Sequence, residues 1–520
     1  MNASLNIRPR PRRARNGAAA WVLALFVSAA LAEPPPLGGS ATPEEAAHLL
    51  NRIAFGPRPG DLERVEREGV NRYIDQQLYP EKIALPNELV QRLASLSDAN
   101  QTAGQLVGEF RAGQRLAKRD GEEGKEKRKE MIRELVEQSA EARLASAVDS
   151  PRQLEEVLVD FWYNHFNVFS GKGLDRVLVA NYERDAIRPY VLGHFRDLLG
   201  ATAHHPAMLF YLDNWLSTVA GYQGAGGGAL AKASGLNENY ARELMELHTL
   251  GVDGGYSQKD VTELARMLTG WTFDPRDNQS DAVFRFDDKR HDWGEKTWLG
   301  YHVAPRGQAE GDWALDVLAA SPITARHISY ELAQYFVSDD PPDALVKRMT
   351  ERYLATRGDL RAVMYVMLKS REFQVDGLSK PKFKTPFEYV VSTLRASGVE
   401  VVNPRPLLGV LNQLGEPLYG CQTPDGYKNT ETAWLNPDAM TRRIDFATVV
   451  AAGRLPVDVP PENVQGGGPV MRRNGAPIDA DQLLVTLGPI ISDKTRATVE
   501  SSNPQLRAAL VLGSPDFMGR

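Results

Sequence analysis

GLNENYARELMELHTLGVDGGYSQKDVTELARMLTGW, residues 235–271, is two helical phrases joined by a turn. At about 100° per residue, Tyr240, Ala241, Leu244, Met245, Leu247 and His248 share one arc, while Glu238, Arg242 and Glu246 fall on the other and Glu243 sits at the margin. The first phrase therefore reads as an amphipathic helix that buries His248. Gly251 ends it, Asp253-Gly254-Gly255 turns the chain, and Ser257 with Asp260 forms a capping box for a second helix closed by Gly270. A buried imidazole without a hydrogen bond costs roughly 1–3 kcal/mol. His248 is accordingly expected to meet a polar partner from another segment, in the block of His165, His205 or His291.

The same texture extends outward in both directions. Thr42, Pro43 and Glu45 spell a helix start, and Asp61 opens a helix toward Leu78. Residues 111–146 are dense in alternating charge at helical spacing, which reads as a solvated hairpin arm. LEEVLVDFWYNHFNVF, containing His165, is apolar almost all round, as in a helix buried within a bundle. Pro206 separates two helices. Residues 220–231 form a glycine-rich loop without the spacing of a phosphate cradle. Only FRFDDKRHDWGEKTWLG alternates, so a small β-hairpin is expected near 283–300. LKSREF (368–373) and LGSPDF (512–517) share an ending that marks two similar helix ends. The expected fold is mainly α, a multi-helix bundle-like architecture. Residues 41–400 form its main helical domain, and 401–520 form a helical and loop region packed on it.

The first 32 residues stand apart. Five arginines precede an apolar run that closes on Ala30-Leu31-Ala32, the order of a cleaved signal peptide, and 33–40 reads as a linker. Arg12-Arg13 lacks the following apolar residue of a twin-arginine signal, which favours the general secretory route. Removing these five arginines and no acid takes the net charge from −6 to −11. Such a chain suits neither nucleic acid nor an anionic membrane. With one cysteine, Cys421, there is no internal disulfide to stabilise a periplasmic or extracellular protein. No integral membrane span is expected in the mature chain.

HLLNRIAFGPRPGDL, FWYNHF, HPAMLFYLDN, the long stretch at 235–271, HDWGEKTWLG and KPKFKTPFEYVVSTLRASG follow one another as in the bacterial family called domain of unknown function 1800, which the chain resembles from about residue 44 onward. The resemblance implies exported, mostly helical proteins. They are often encoded beside a second exported protein similar to the alkaline phosphatase and sulfatase superfamily. No reaction comes with it.

Two functional readings remain. One is a non-catalytic envelope or extracellular scaffold or binding protein, whose polar blocks are buried networks and whose charged arm docks a partner. The alternative is a metal-dependent hydrolase. Its ligands for a divalent transition metal would come from His165, His205, His248, His291 and Asp292, with Glu243, Asp213, Glu238 and Arg242 as candidate catalytic groups. No HExxH motif, nucleophile motif, Walker loop, dinucleotide fingerprint or haem site occurs. A metal-free variant for glycan chemistry has aromatic residues such as Tyr222, Tyr427 and Trp434 to stack on sugars. If residues 1–32 are a signal peptide, N-terminal sequencing of exported protein will begin at or near Glu33; uncleaved cytoplasmic protein starting at Met1 would contradict it.

Overall fold

The computed structural model describes residues 40–223, 235–273, 284–458 and 476–520. The signal segment, nearly all of the 33–40 linker and most of the glycine-rich loop at 220–231 lie outside the described residues. Helix α1 (Pro43–Ile53) begins as its capping box dictates, with Thr42 Oγ1 accepting from Glu45 N at 3.2 Å and Glu45 Oε2 from Thr42 N at 2.9 Å. The next helix is not one rod toward Leu78. Gly69, at φ +81, divides it into α2 (Asp61–Glu68) and α3 (Val70–Gln77). After α4 (Asn87–Ser95), the charged arm is the expected hairpin, α5 (Ala103–Arg119) against α6 (Gly121–Asp149). Its tip carries exposed Lys125–Glu122, Lys127–Glu123 and Lys129–Glu126 pairs, which solvent and salt screen.

Helix α7 (Gln153–His165) runs through the core, with Leu154, Val157, Leu158, Val159, Phe161 and Trp162 buried. It departs from the all-apolar expectation along one stripe. Gln153, Glu156, Asp160, Asn164 and, just beyond the helix, Asn167 fall within about 80° when placed at about 100° per residue. Every member of this stripe has partners from elsewhere in the chain. Gln153 accepts from Phe55 N at 3.1 Å, Glu156 pairs with Arg188 at 2.7 Å, and Asp160 pairs with Arg143 at 2.8 Å. Asn164 accepts from Tyr427 N at 2.7 Å and donates to Tyr427 O at 2.8 Å. Asn167 donates to the carbonyls of Cys421 and Thr423 at 3.0 and 2.8 Å.

Beyond α8 (Asp175–Tyr182), Pro206 separates α9 (Phe195–His204) from α10 (Pro206–Tyr211) as expected. Helix α11 (Asn239–Glu246) stops earlier than its pattern suggested. The amides of His248 and Leu250 reach back five residues, to Glu243 O at 3.0 Å and Met245 O at 2.8 Å, in a widened terminal turn before Gly251. Ser257 then caps α12 (Gln258–Met267).

Four short strands follow, but FRF and KTW do not pair with each other. β1 (Trp271–Phe273) pairs antiparallel with β2 (Phe284–Phe286), and β3 (Lys296–Trp298) with β4 (Tyr301–Val303). Between β2 and β3, Asp292 is tied to Arg266 and His291 to Thr269, which pins that segment to the end of α12 and parts the two strands.

Helices resume with α13 (Gln308–Ala320), α14 (Pro322–Phe336), α15 (Asp343–Ala355), α16 (Leu360–Leu368), α17 (Arg371–Gln374) and α18 (Pro386–Ser397). The fold is mainly α, with a small β element where the sequence alternates. The hydrophobic core is continuous from Ala46 to Met518. No helix among the described residues is long and apolar enough to cross a membrane.

The shared ending of LKSREF and LGSPDF has a physical reason. In each, a helix ends at the leucine and the serine caps the next short helix. Ser370 Oγ accepts from Phe373 N, and Ser514 Oγ from Phe517 N, both at 3.2 Å. Ser370→Ala and Ser514→Ala should each lower unfolding free energy by about 1 kcal/mol, measured by denaturant melts; no change in either would show that these caps carry no stability.

Candidate functional site

The expected metal ligands are divided among three places. His205 caps α10, its Nδ1 accepting from Ala207 N at 3.2 Å, which leaves Nε2–H to donate to Asn181 Oδ1 at 2.9 Å. Both nitrogens are thus used, and burial pushes this imidazole down to about 3. His291 lies between Thr269 O at 2.8 Å and Glu310 Oε1 at 3.1 Å, with Lys296 on the other carboxylate oxygen. Asp292 is held by Arg266 at 2.8 and 3.1 Å; burial raises its carboxyl, but these bonds outweigh that and keep it below the usual range.

His165 and His248 do come together, with ring centroids 6.1 Å apart. His165 Nδ1 lies 2.8 Å from Glu331 Oε2, and its Nε2 lies 3.3 Å from the His248 carbonyl that the widened turn presents. His248 is 1% exposed, as the helical wheel required, yet its Nε2 has no hydrogen-bond partner. Burial, reinforced by the neighbouring His165, holds it neutral with a strongly lowered pKa. The polar partner expected for the ring is thus not found at Nε2; His165 meets the His248 carbonyl instead. The sequence reading missed Glu331 and His327, which stand four residues apart on α14 with Nε2 and Oε1 at 3.5 Å. Their i,i+4 spacing was the available signal. Among the described residues no three His, Cys, Asp or Glu side chains form a group that could hold a metal ion.

The candidate catalytic residues also separate. Glu238 accepts from Gln258 and Thr262 at 2.7 Å each, and Arg242 donates to Gln258 at 2.8 Å, so both tie α11 to α12. Asp213, at φ +58, pairs with Lys172 at 2.9 Å. Glu243 is half-buried; burial first, then Glu246 and Asp425, raise its carboxyl.

A concave site lies instead on the far part of the α7 stripe, where the 416–429 loop closes over Asp160 and Asn164. Arg143, Asp160, Glu183 and Glu416 supply its charge, and the rings of Phe161, Tyr163, Tyr335, Phe387, Tyr419 and Tyr427 line it. The cavity measures about 50 Å³, room for about four water-sized atoms. The loop is clamped onto it: a Cβ at Gly426, which has φ +63, would stand 2.3 Å from Asn164 O. Trp434 is 8% exposed and packs on Tyr427 at 5.8 Å, so its face is not free for a ligand.

Carboxylates outnumber cations around this cavity. Arg143 faces Asp160 at 2.8 Å, Glu183 at 3.5 Å and Glu156 at 3.8 Å, while Arg188 shares Glu156 and Glu183. Burial pushes Asp160 up to about 6 even with Arg143 beside it. Burial and the nearby Asp160 push Glu416 up to about 8, with Phe387 N donating to it at 2.7 Å. Such carboxyls exchange protons near neutrality, the property required of a general acid or base. The signal in the sequence was the polar stripe of α7; nothing local marked Glu416.

A carboxyl whose pKa is higher in the folded than in the unfolded state makes folding proton-binding, so stability falls as pH rises between the two values. For Glu416 this window runs from 4.5 to about 8, and for Asp160 from 3.8 to about 6. In thermal melts Glu416→Gln should remove its share of this decline, so that between pH about 6 and about 8 the variant loses less stability with rising pH than the parent chain. An unchanged slope in that variant would remove Glu416 from this role.

No curated protein and no solved structure matches the chain. The family model described as a protein of unknown function (DUF1800) matches residues 48–519, nearly the whole length, and the chain belongs to that family.

Proposed function

We propose that this protein is an exported, non-catalytic scaffold or binding protein of the periplasm or extracellular space, with a cleaved signal peptide and a charged hairpin that engages a partner. What supports the reading is the use of the family's polar residues. His205, His291, Asp292, Asp213, Glu238 and Asn164 are each engaged in bonds within the chain. Buried polar groups satisfied in this way fix the mutual register of helices. The tip of the α5–α6 hairpin is exposed and bears charges of both signs, suited to a surface of alternating charge. The partner to test is the co-encoded exported protein similar to the alkaline phosphatase and sulfatase superfamily that family resemblance suggests.

The second reading, a hydrolase, is favoured by one observation. Glu331 Oε2 lies 2.8 Å from His165 Nδ1, the proximity of a carboxylate to an imidazole base. No hydroxyl or thiol nucleophile accompanies the pair in the contacts described. Stoichiometric zinc, iron or manganese in the mature protein, lost in His165→Ala while the fold survives, would replace the scaffold reading with this one.

Coexpression tests the first reading. The intact chain should retain the co-encoded protein through affinity purification. A chain in which residues 114–127 are replaced by a short Gly-Ser turn should lose most of it while melting normally, because the ion pairs and the close approach described for those residues, Arg119–Asp120, Lys125–Glu122, Lys127–Glu123 and Gly124 against Leu116, lie within the hairpin. Equal retention by both chains would exclude the arm as the docking element.

A further inference from the structure

Residues 518–520 lie against residues 382–384 in a short antiparallel ladder. Lys382 N donates to Arg520 O at 2.8 Å, Arg520 N to Lys382 O at 2.7 Å and Lys384 N to Met518 O at 2.9 Å. Five cationic side chains surround this contact, Arg52, Lys382, Lys384, Arg443 and Arg520, and none is more than 7% exposed. Among the described residues only two of them have a carboxylate in ion-pair reach, Lys382 with Asp339 and Arg520 with Glu388. Arg52 is held by the carbonyls of Phe336, Val337 and Lys380. Arg443 has the Lys384 carbonyl at 2.7 Å and the ring faces of Phe383 and Tyr389. Like charges buried together without counter-ions are costly.

A guanidinium keeps its proton, whereas a lysine amine can give it up. Of the two lysines, Lys384 is the one without a carboxylate. Its Nζ reaches Ser392 Oγ at 2.9 Å and Phe517 O at 2.7 Å, and lies 4.2 Å from the centre of the Phe517 ring. An ammonium would direct three N–H groups at two oxygens and a ring face. The neutral amine donates to Phe517 O and accepts from Ser392 Oγ, a hydroxyl with no other described partner. The charged groups that face it are Glu388 on α18, Arg443 on the helix Pro437–Ala451 and Arg520 beside Phe517, and Arg520 already occupies Glu388. Arg52 on α1, and Lys382 with Asp339, complete the cluster around Arg520. Burial pushes the Lys384 amine down to about 7; Glu388 opposes the shift, and Arg443 and Arg520 add to it.

We propose that Lys384 is a pH-sensitive latch: as a neutral amine it ties the 514–520 segment to α18, and on taking a proton it loosens that segment from residues 382–384. An amine whose value in the docked state lies below its free value of 10.5 releases a proton on docking. The segment is therefore held most tightly at alkaline pH, loosens as pH falls from 10.5 to about 7, and loosens no further below that. One proton per opening changes the opening equilibrium by at most about tenfold per pH unit. The direction is opposite to that of Glu416 and Asp160, so the lysine has its own signature. The latch is separate from the hairpin arm and independent of whether the arm docks a protein.

The test uses the full chain with lysine-selective carbon-13 labelling, so that NMR follows each amine through its own titration. Lys384, identified by the signal that disappears in Lys384→Met, should titrate near pH 7, far from the 10.5 of an unperturbed lysine. Hydrogen exchange corrected for intrinsic rates should show the amides of Lys384 and Arg520 opening less as pH rises from 7 to 9, by up to about tenfold per unit. Lys384→Met, which carries no proton to release, should show a flatter dependence at both amides. If that variant unfolds, the NMR titration of the parent chain decides, with Lys384 assigned by through-bond correlation. Lys384 titrating together with the exposed lysines would overturn the proposal. So would equal pH dependences of exchange in the two folded chains.

Discussion

Charged and amide side chains placed along a core helix must all find partners, and that demand organises this molecule. Helix α7 enters the interior with Gln153, Glu156, Asp160 and Asn164 along one edge. An unpaired buried charge or amide is costly, so each has recruited a different part of the chain. Gln153 takes the turn after α1, Glu156 takes Arg188, Asp160 takes Arg143 at the base of the arm, and Asn164 takes the loop at Tyr427. Buried ion pairs of this kind add little net stability compared with apolar packing, but removing one partner from a finished set is expensive. Their effect is selective: an arrangement of helices that left any member of the stripe unmatched would be penalised.

The helical fold was legible because amphipathic periodicity and capping residues are local. Thr42 with Glu45 and Ser257 with Asp260 each marked a helix start that the structure reproduces. What failed was also physical. Asp61 signalled one helix, but Gly69 reverses the backbone where no side chain advertises the change. FRF and KTW read as a pair because they alternate, whereas strand pairing is a tertiary choice, here decided by the anchoring of His291 and Asp292 on α12. For the site, the sequence identified the right helix and the less informative residues on it. His165 drew attention as the residue with chemistry, while Asp160 and Asn164 passed without mention in a segment read as apolar almost all round.

The histidines illustrate how burial and bonding sort similar residues into different states. His205 has both nitrogens engaged and is held neutral, fixed as a cap. His291 has a carboxylate and a carbonyl on opposite sides of its ring. His248 is equally buried yet has a bare Nε2, because its helix ends in a widened turn that delivers its carbonyl, and not its ring, to His165. The difference lies in backbone geometry that a helical wheel assumes to be regular.

The clasp between Asn164 and Tyr427 joins residues 263 positions apart. An asparagine side chain there imitates a strand neighbour, exchanging an amide and a carbonyl with the backbone as a second peptide would. Contacts of such sequence separation form late, since the intervening chain must be ordered first. During synthesis α7 therefore emerges long before its cover and must wait without the loop that closes over Asp160 and Asn164. The cavity has no existence in a nascent chain. It comes into being in one event, when the last quarter of the protein arrives, so that any ligand it holds can be bound only by a finished molecule.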